Sequence, residues 1–585
     1  MTTRRLLPVL YATSTGATVA ILAPLLPGLV GAGPRHLLYR DAVSTPRTHV
    51  TDTTLGIGDR PPRAVPQDWF LAMTSAVVDG GVVVLALLAA ALICTGVGYG
   101  RLAARLVPGA GRTGAVAAAL VSVWNPYVAE RLLQGHWSLL VSCAALGWII
   151  VACMDLRDRG GVTGLLGLGG LLAVAGLTPT GSVLAFIVLA VALCTTRPGA
   201  RNVLAAMTLW VLTALPWVVT GVMSDAATTS TAAGVEAFGL RSEPWLGTVG
   251  TVASLGGIWN ADAVPASRTI GWAAVATACL LVVAATGTVH LWRRRAHLDP
   301  MVRSLTVLAA ATAILLILST FGPARTATGF VVEHIGGGGL LRDAQKFSIL
   351  LLPALAVAVA AAAVAARRRV PAGFAVAAVF LLVVAPLPDL AWGVGGSVRA
   401  VDYPDDWRDV VRAVPSDQGS VALWPPDTVR RYDFASGPAL DPAARMLRAP
   451  VVESGTLTVD GEVIDPPGEH AAAVSRVLAD GGDPRALADL GVGWVLVENG
   501  STPVQLAENG RLAVESPNLR LYQVDGPRDR SAGSLARAAA TGAHLVWAAV
   551  LLAGLVSGVV RAVTARRRTP RGNRHTSPTT STDSP

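Results

Sequence analysis

Twelve apolar runs separated by short polar stretches constrain this 585-residue sequence more than any other feature. They lie at Leu6–Ala32, Gly81–Gly98, Gly114–Trp124, Ser138–Met154, Val162–Leu177, Ser182–Cys194, Val203–Met223, Ile270–Trp292, Leu305–Phe321, Phe347–Ala366, Pro371–Pro388 and Gly542–Val563. A helix needs about 20 apolar residues to cross a hydrocarbon core about 30 Å thick, so the shorter runs are expected to extend into their flanking loops. Backbone groups in hydrocarbon have no water to bond, which leaves helices as the form such runs can take. The sequence therefore predicts an α-helical polytopic membrane protein of about 12 transmembrane helices. Charge usage agrees: 15% of residues are charged, against about 25% in soluble domains.

The loops give an orientation. Arginines cluster in every second loop, at Arg101, Arg105 and Arg112, at Arg157 and Arg159, at Arg197 and Arg201, at Arg293–Arg295, at Arg367–Arg369 and from Arg566 onward. One topology places all of them in the cytoplasm, with both termini, and identifies the membrane as a bacterial plasma membrane. Leu6–Ala32 follows Arg4 and Arg5 and is interrupted by Pro24 and Pro27; it reads as a retained first helix rather than a cleaved signal peptide. The net charge of +9 has its source in these loops, so no nucleic-acid partner is expected.

The outer face then receives the long segments Gly33–Asp79, Ser224–Thr269, Gly322–Lys346 and Trp392–Ala536. The last has Asp and Glu throughout and short apolar runs between turn residues. Helices are expected at Asp405–Val414 and His470–Leu478, and strands at Ser420–Trp424, Gly493–Glu498 and Leu519–Val524. The organisation expected is a membrane domain over 1–391, an extracytoplasmic α/β domain over 392–536, a final transmembrane helix over 537–565 and a disordered basic tail over 566–585. The five cysteines all fall in or at the ends of apolar runs without ligand spacing, so neither a disulfide framework nor a zinc site is predicted.

No Walker A loop, HExxH or CxxC occurs, and no nucleotide cofactor is expected. Chemistry is left to polar residues at the outer membrane face. The first loop carries Tyr39-Arg40-Asp41, Gly58-Asp59-Arg60 and Gln67-Asp68-Trp69. A carboxylate at that depth can take a proton from a hydroxyl or hold a divalent cation; solvation of a loop would account for it equally. Asn125 to Trp137 holds Glu130, Arg131 and His136 between two membrane runs. Ionisable groups at membrane depth point to function, although a structural Glu130–Arg131 pair would give the same pattern. Gly336–Gly339 precedes Arg342-Asp343-Ala344-Gln345-Lys346. Lys346 is the one lysine in the chain. A helix starting near Leu340 would place Arg342 and Lys346 on one face, suited to a lipid-linked phosphate, or to headgroup contact and pairing with Asp343. The Ser224–Thr269 loop, with Glu243, Asn260, Asp262 and Arg268, is expected to lie over the site as a lid.

Many helices, an early outer-loop aspartate and an outer soluble domain together resemble the GT-C superfamily of integral membrane glycosyltransferases. Within it, Asn125-Pro126…Glu130-Arg131…Gly135-His136-Trp137 and Leu341-Arg342-Asp343-Ala344-Gln345-Lys346-Phe347 are similar to loops of the actinobacterial cell-envelope arabinofuranosyl- and mannosyltransferases that use polyprenyl-phosphate donors. The resemblance covers about Met1–Pro388. It implies a catalytic base at Asp41, with Asp59 and Asp68 as reserves. It implies substrate binding by Arg40, Glu130, Arg131, His136, Trp137, Arg342 and Lys346, and a possible divalent cation on Asp41, Glu130 and His136. Its partners would be membrane lipid, a polyprenyl-phosphate-sugar donor, an envelope glycan acceptor and proteins of envelope assembly. Two other readings stand beside it: a non-catalytic scaffold of an envelope-assembly complex, and an envelope lipid transporter or flippase.

Overall fold

The computed structural model describes residues 6–58, 64–223, 231–459 and 462–567. Among these, nine helices are long and apolar enough to cross a membrane: Leu7–Leu29, Gly80–Leu106, Trp137–Arg159, Pro179–Thr196, Ala200–Met223, Trp272–Trp292, Pro300–Leu318, Ala344–Ala366 and Ser534–Thr564. A pair bent by 78°, Ala372–Val384 with Pro388–Gly396, makes a tenth candidate. The bend falls at Pro386 and Pro388, which lack the N–H a continuing helix needs. The two remaining apolar runs are helical but short, 13 residues at Gly111–Val123 and 14 at Val162–Ala175. Each is about 20 Å long, less than the hydrocarbon core. The expected count of about 12 thus becomes nine among the described residues, or ten with the bent pair. Gly111–Val123 ends early because Asn125 starts a new helix: its Oδ1 accepts the Val128 N–H, with Pro126 at the first helical position. Met1–Arg5, Asp59, the first residues of the 224–269 loop and the tail beyond Arg567 lie outside the described residues; Arg566 and Arg567 continue the last helix.

The helices run between two unlike ends. At one, Asp79 caps Gly80–Leu106 by accepting from Gly81 and Val82 N–H, and bonds His36 at 3.3 Å. At the far end of that helix Arg105 pairs with Asp155 and Asp158, Arg157 reaches Asp299 at 3.2 Å and Arg561 reaches Asp155 at 3.8 Å. The last helix makes the same passage, from Arg537 on Asp52 at 2.7 Å to Arg561. Arginine-rich loops that are far apart in sequence therefore gather at one end of the bundle.

The opposite end carries the sheets. Strands β1 (His36–Tyr39) and β2 (Ala42–Val43) form a tight antiparallel pair, and β1 also pairs with β3 (Ala400–Val401). The first loop is thereby joined to the chain where it leaves the bundle. The later strands are β4 (Ser420–Trp424), β5 (Val429–Arg430), β6 (Ala439–Leu440), β7 (Val451–Val452), β8 (Leu457–Val459), β9 (Glu462–Asp465), β10 (Val492–Glu498), β11 (Arg511–Glu515) and β12 (Leu519–Gln523). Five of them form a mixed sheet in the order β11-β12-β10-β4-β7, with β7, β4 and β10 parallel. Every residue of β10 is buried, as a strand covered on both faces requires. Its alternate residues serve two cores: Trp494 and Leu496 pack with Trp407 and Val410 of the Asp405–Ala413 helix, Val495 and Val497 with Val474 and Leu478 of the Glu469–Ala479 helix.

Candidate active site

The polar residues singled out in the first loop and in the 125–137 segment meet at the end of one short helix, Pro126–Gln134, all of whose residues are buried. Gly135 closes this helix with φ +85°, a conformation glycine adopts without the Cβ penalty. A Cβ there would also run into the backbone of Tyr39, Asp41 and Ala42. The absent side chain is what lets the β1–β2 turn rest on the helix end, where the Asp41 N–H donates to the Gln134 carbonyl at 3.1 Å. Arg40, at φ +50°, turns the other way and donates from Nη2 to the Asp262 carbonyl at 2.7 Å.

Asp41 Oδ2 accepts from His136 Nε2 at 2.9 Å and from Gln134 Nε2 at 3.2 Å. On the other side of the imidazole, Arg131 Nη1 lies 2.9 Å from His136 Nδ1. A guanidinium only donates, so Nδ1 must carry the lone pair and Nε2 the proton that faces Asp41. Burial holds the imidazole below its usual range, aided by the charges of Arg131 and Lys346 and opposed by Asp41. Burial alone would raise the Asp41 carboxyl, but the hydrogen bond and charge of His136, the Gln134 amide and the Lys346 ammonium outweigh it and hold it below the usual carboxylate range. The arrangement is a carboxylate on a neutral histidine. Exposure falls inward along it: the side chains of Asp41, His136 and Arg131 are 36%, 17% and 0% exposed.

Behind the histidine the network continues without a break. Arg131 holds Asp343 with two bonds of 3.1 and 3.3 Å and donates to Gln345 Oε1. Lys346 Nζ stands 3.4 Å from Asp343. These cations, with His136, overcome the effect of burial and keep the Asp343 carboxyl well below its usual range. Gln345 Nε2 donates to Glu130 at 3.1 Å, and Glu130 also takes the N–H groups of Gly257 at 3.3 Å and Ile258 at 3.1 Å. Glu243 shares the Gly257 N–H at 2.8 Å and binds Arg268 Nε at 2.6 Å. Burial and the neighbouring Glu243 push the Glu130 carboxyl well above its usual range. With Asn260 donating to Gln134 at 2.8 Å, the 240–268 segment is tied over the helix.

The structure thus brings together Asp41, His136, Arg131 and Lys346, joins Glu130 to them through Gln345, and sets Arg40 beside Asp41. It separates four others. Asp59 lies outside the described residues. Asp68 is committed to Arg445 at 3.0 Å. Trp137 is buried in the apolar core. Arg342 binds Asp465 with bonds of 2.8 and 3.0 Å and lies 4.4 Å from the Phe238 ring centre. The expected shared face of Arg342 and Lys346 fails because no α-helix begins at Leu340: Gly338–Leu341 and Ala344–Leu351 are wound as 3₁₀ turns broken at Asp343. In that winding residues three apart are eclipsed, which pairs Lys346 with Asp343. Among the described residues no three His, Cys, Asp or Glu side chains converge on a metal position; Glu130 faces Gln345 and the 257–258 backbone instead of Asp41 and His136. Gln134, Asp343 and Gln345 went unassigned from sequence. The one signal for them was an acid set between two cations at Arg342 and Lys346.

No family model matches the sequence, and no curated protein matches it. Solved structures do. The arabinofuranosyltransferase AftD from mycobacteria aligns with a TM-score of 0.52 at 16% identity over 91% of this chain. A mutant form of the same protein aligns with a TM-score of 0.49 at 16% identity over 90%. The chain spans 40% of the length of the first and 42% of the second. It is a multi-pass membrane protein, and over nearly its whole length its fold is similar to that of a mycobacterial arabinofuranosyltransferase, the GT-C-like architecture its sequence resembles.

Proposed function

We propose that this protein is an integral membrane glycosyltransferase that moves a sugar from a polyprenyl-phosphate donor to a hydroxyl of an envelope glycan or glycolipid on the outer face. The observation that carries the proposal is Asp41: an ionised, partly exposed carboxylate fixed by a neutral histidine, with the chain's one lysine close enough to lower its pKa. The likeness to an arabinofuranosyltransferase supports the fold on which this reading rests. The gathering of the arginine loops at the opposite end supports an outward-facing site.

In the reaction the acceptor hydroxyl attacks the anomeric carbon and the bond from that carbon to the phosphate oxygen breaks. The leaving phosphate takes the bonding electrons, and Asp41 takes the hydroxyl proton. Lys346 and Arg40 supply positive charge where the phosphate charge grows. Arg131 touches neither substrate. It positions His136, and through it Asp41.

Glycan and lipid analysis of a depleted strain, complemented with wild type or Asp41→Asn, tests the proposal. One defined glycan or lipid-linked product should shorten on depletion and return only with the wild type. Loss of a positioned base costs about 10²–10⁴-fold in rate. Full complementation by Asp41→Asn would remove Asp41 from the chemistry and favour a scaffold or transporter.

A further inference from the structure

Two features of the sheet domain are not used by the Asp41 network. The first is a cleft of about 570 Å³ lined by Arg431, Asp433, Asn499, Ser501, Asn518 and Arg520, among others. That volume is in the range of about 300–1,000 Å³ typical of small-molecule sites. It opens beyond the carboxyl ends of β4 and β10, where parallel sheets bind their ligands. The second is a buried ionic cluster directly beneath it. Arg430 Nε lies 3.2 Å from Asp441 and 3.7 Å from Glu498, and the Tyr432 hydroxyl donates to Glu498 at 2.9 Å. Burying such groups costs several kcal/mol per ion, roughly, so a cluster of this kind is a poor way to gain stability.

The chain order explains why the two occur together. Arg430 and Tyr432 point into the domain, while Arg431 and Asp433 between and beside them are exposed on the cleft. Glu498, the last residue of β10, is followed by Asn499, which takes a left-handed φ of +46°. Non-glycine residues held there recur at binding sites. The Asn499 N–H donates to the Asn518 carbonyl at 3.0 Å, Arg520 donates to the Gly500 carbonyl, and Trp424 Nε1 donates to the Ser501 carbonyl at 3.1 Å. The buried cluster thus fixes the 430–433 segment against the end of β10, and the cleft walls are set before any ligand arrives.

The lining selects a chemistry. Two amides and a serine both donate and accept, two guanidinium groups donate, and one carboxylate accepts. A sugar hydroxyl likewise donates one hydrogen bond and accepts others. Asp433 on the wall and Glu498 beneath oppose an anion. We infer that this cleft is a binding site for a neutral stretch of glycan, separate from the Asp41 network; the choice of glycan among polyols rests on the proposed function. One hairpin joins the two places. Arg40 donates its N–H to the Pro438 carbonyl at 2.6 Å and accepts the Leu440 N–H at 2.9 Å, and β6 pairs with β5, which leads into Arg431. A chain held in the cleft would lie one hairpin from the turn that carries Asp41.

The test uses the full chain in lipid nanodiscs, titrated with neutral arabinose, mannose and galactose oligosaccharides and with their phosphorylated counterparts. At least one neutral series should bind. The double variant Arg431→Ala/Asn518→Ala, at two exposed positions, should weaken it by about tenfold or more, with thermal unfolding unchanged. Asp41→Asn should bind as wild type does, so the cleft is read independently of transfer. Binding of no neutral oligosaccharide, of phosphorylated chains only, or equal binding by the double variant would overturn the inference. Loss of transfer in Asp41→Asn together with any of those results would leave the proposed function standing without the cleft.

Discussion

At the end of the bundle that carries Asp41, the Arg131 guanidinium is wholly enclosed and makes four charged or polar contacts at once, to His136, to both oxygens of Asp343 and to Gln345. At the other end the side chains of Arg105 and Arg157 are 26% and 33% exposed and pair with acids that also face outward. Both are arginine–aspartate pairs on membrane helices, but solvent separates their roles. Where water screens the charges, a pair is worth about 1 kcal/mol or less and its main message is topological. Where water is excluded, each member depends on the others, and the network fixes a tautomer and the direction of a carboxylate.

That contrast can be broken, starting with the strongest link. Arg131→Met leaves the buried Asp343 without its partner and should cost about 3–5 kcal/mol, read as a fall in thermal unfolding temperature of the purified protein, with loss of transfer in the fraction that stays folded. Gly135→Ala should come next, at about 1–2 kcal/mol for the left-handed conformation. It should also lower kcat, because the added carbon separates the β1–β2 turn from Gln134 and shifts Asp41.

His136→Phe sharpens the comparison through pH. A hydrogen bond to the charged form lowers a carboxyl pKa, so its removal lets burial dominate and Asp41 titrates higher. In the wild type, transfer should hold as pH falls to below the usual carboxylate range, about 3.9 for aspartate. In His136→Phe the acid limb should move upward, and an unmoved limb would mean that His136 does not set the base. The smallest effect belongs to the exposed end: Arg157→Ala should change stability by about 1 kcal/mol at most and leave transfer unaltered. A large loss there would show that exposure does not separate the two ends.

Much of this was legible in the chain. The apolar runs named the helices, and β4 was read at its observed bounds, Ser420–Trp424, because a short β-branched and aromatic run between turn residues has few alternatives. Asp41 and His136 were nominated because polar residues at membrane depth are costly to keep. Other pairings had no local signal. Asp68 finds Arg445, 377 positions away, and Arg342 finds Asp465, 123 positions away. Both leave the candidate site for that reason, since a carboxylate or guanidinium satisfied by a distant partner looks the same in sequence as a free one.

The sequence by itself determined what water and lipid act on directly: which segments enter hydrocarbon, which loops share an end, and where the sheet domain lies. Tertiary structure alone decided which polar side chains meet. The 3₁₀ winding after Gly338 sent Arg342 and Lys346 to different acids, and the close approach at Gly135 brought Asp41 onto His136. Hydrophobic burial follows composition over a window and survives small shifts of backbone, whereas a hydrogen bond is lost within an ångström. The chemistry of this protein therefore depends on contacts that its local sequence does not encode.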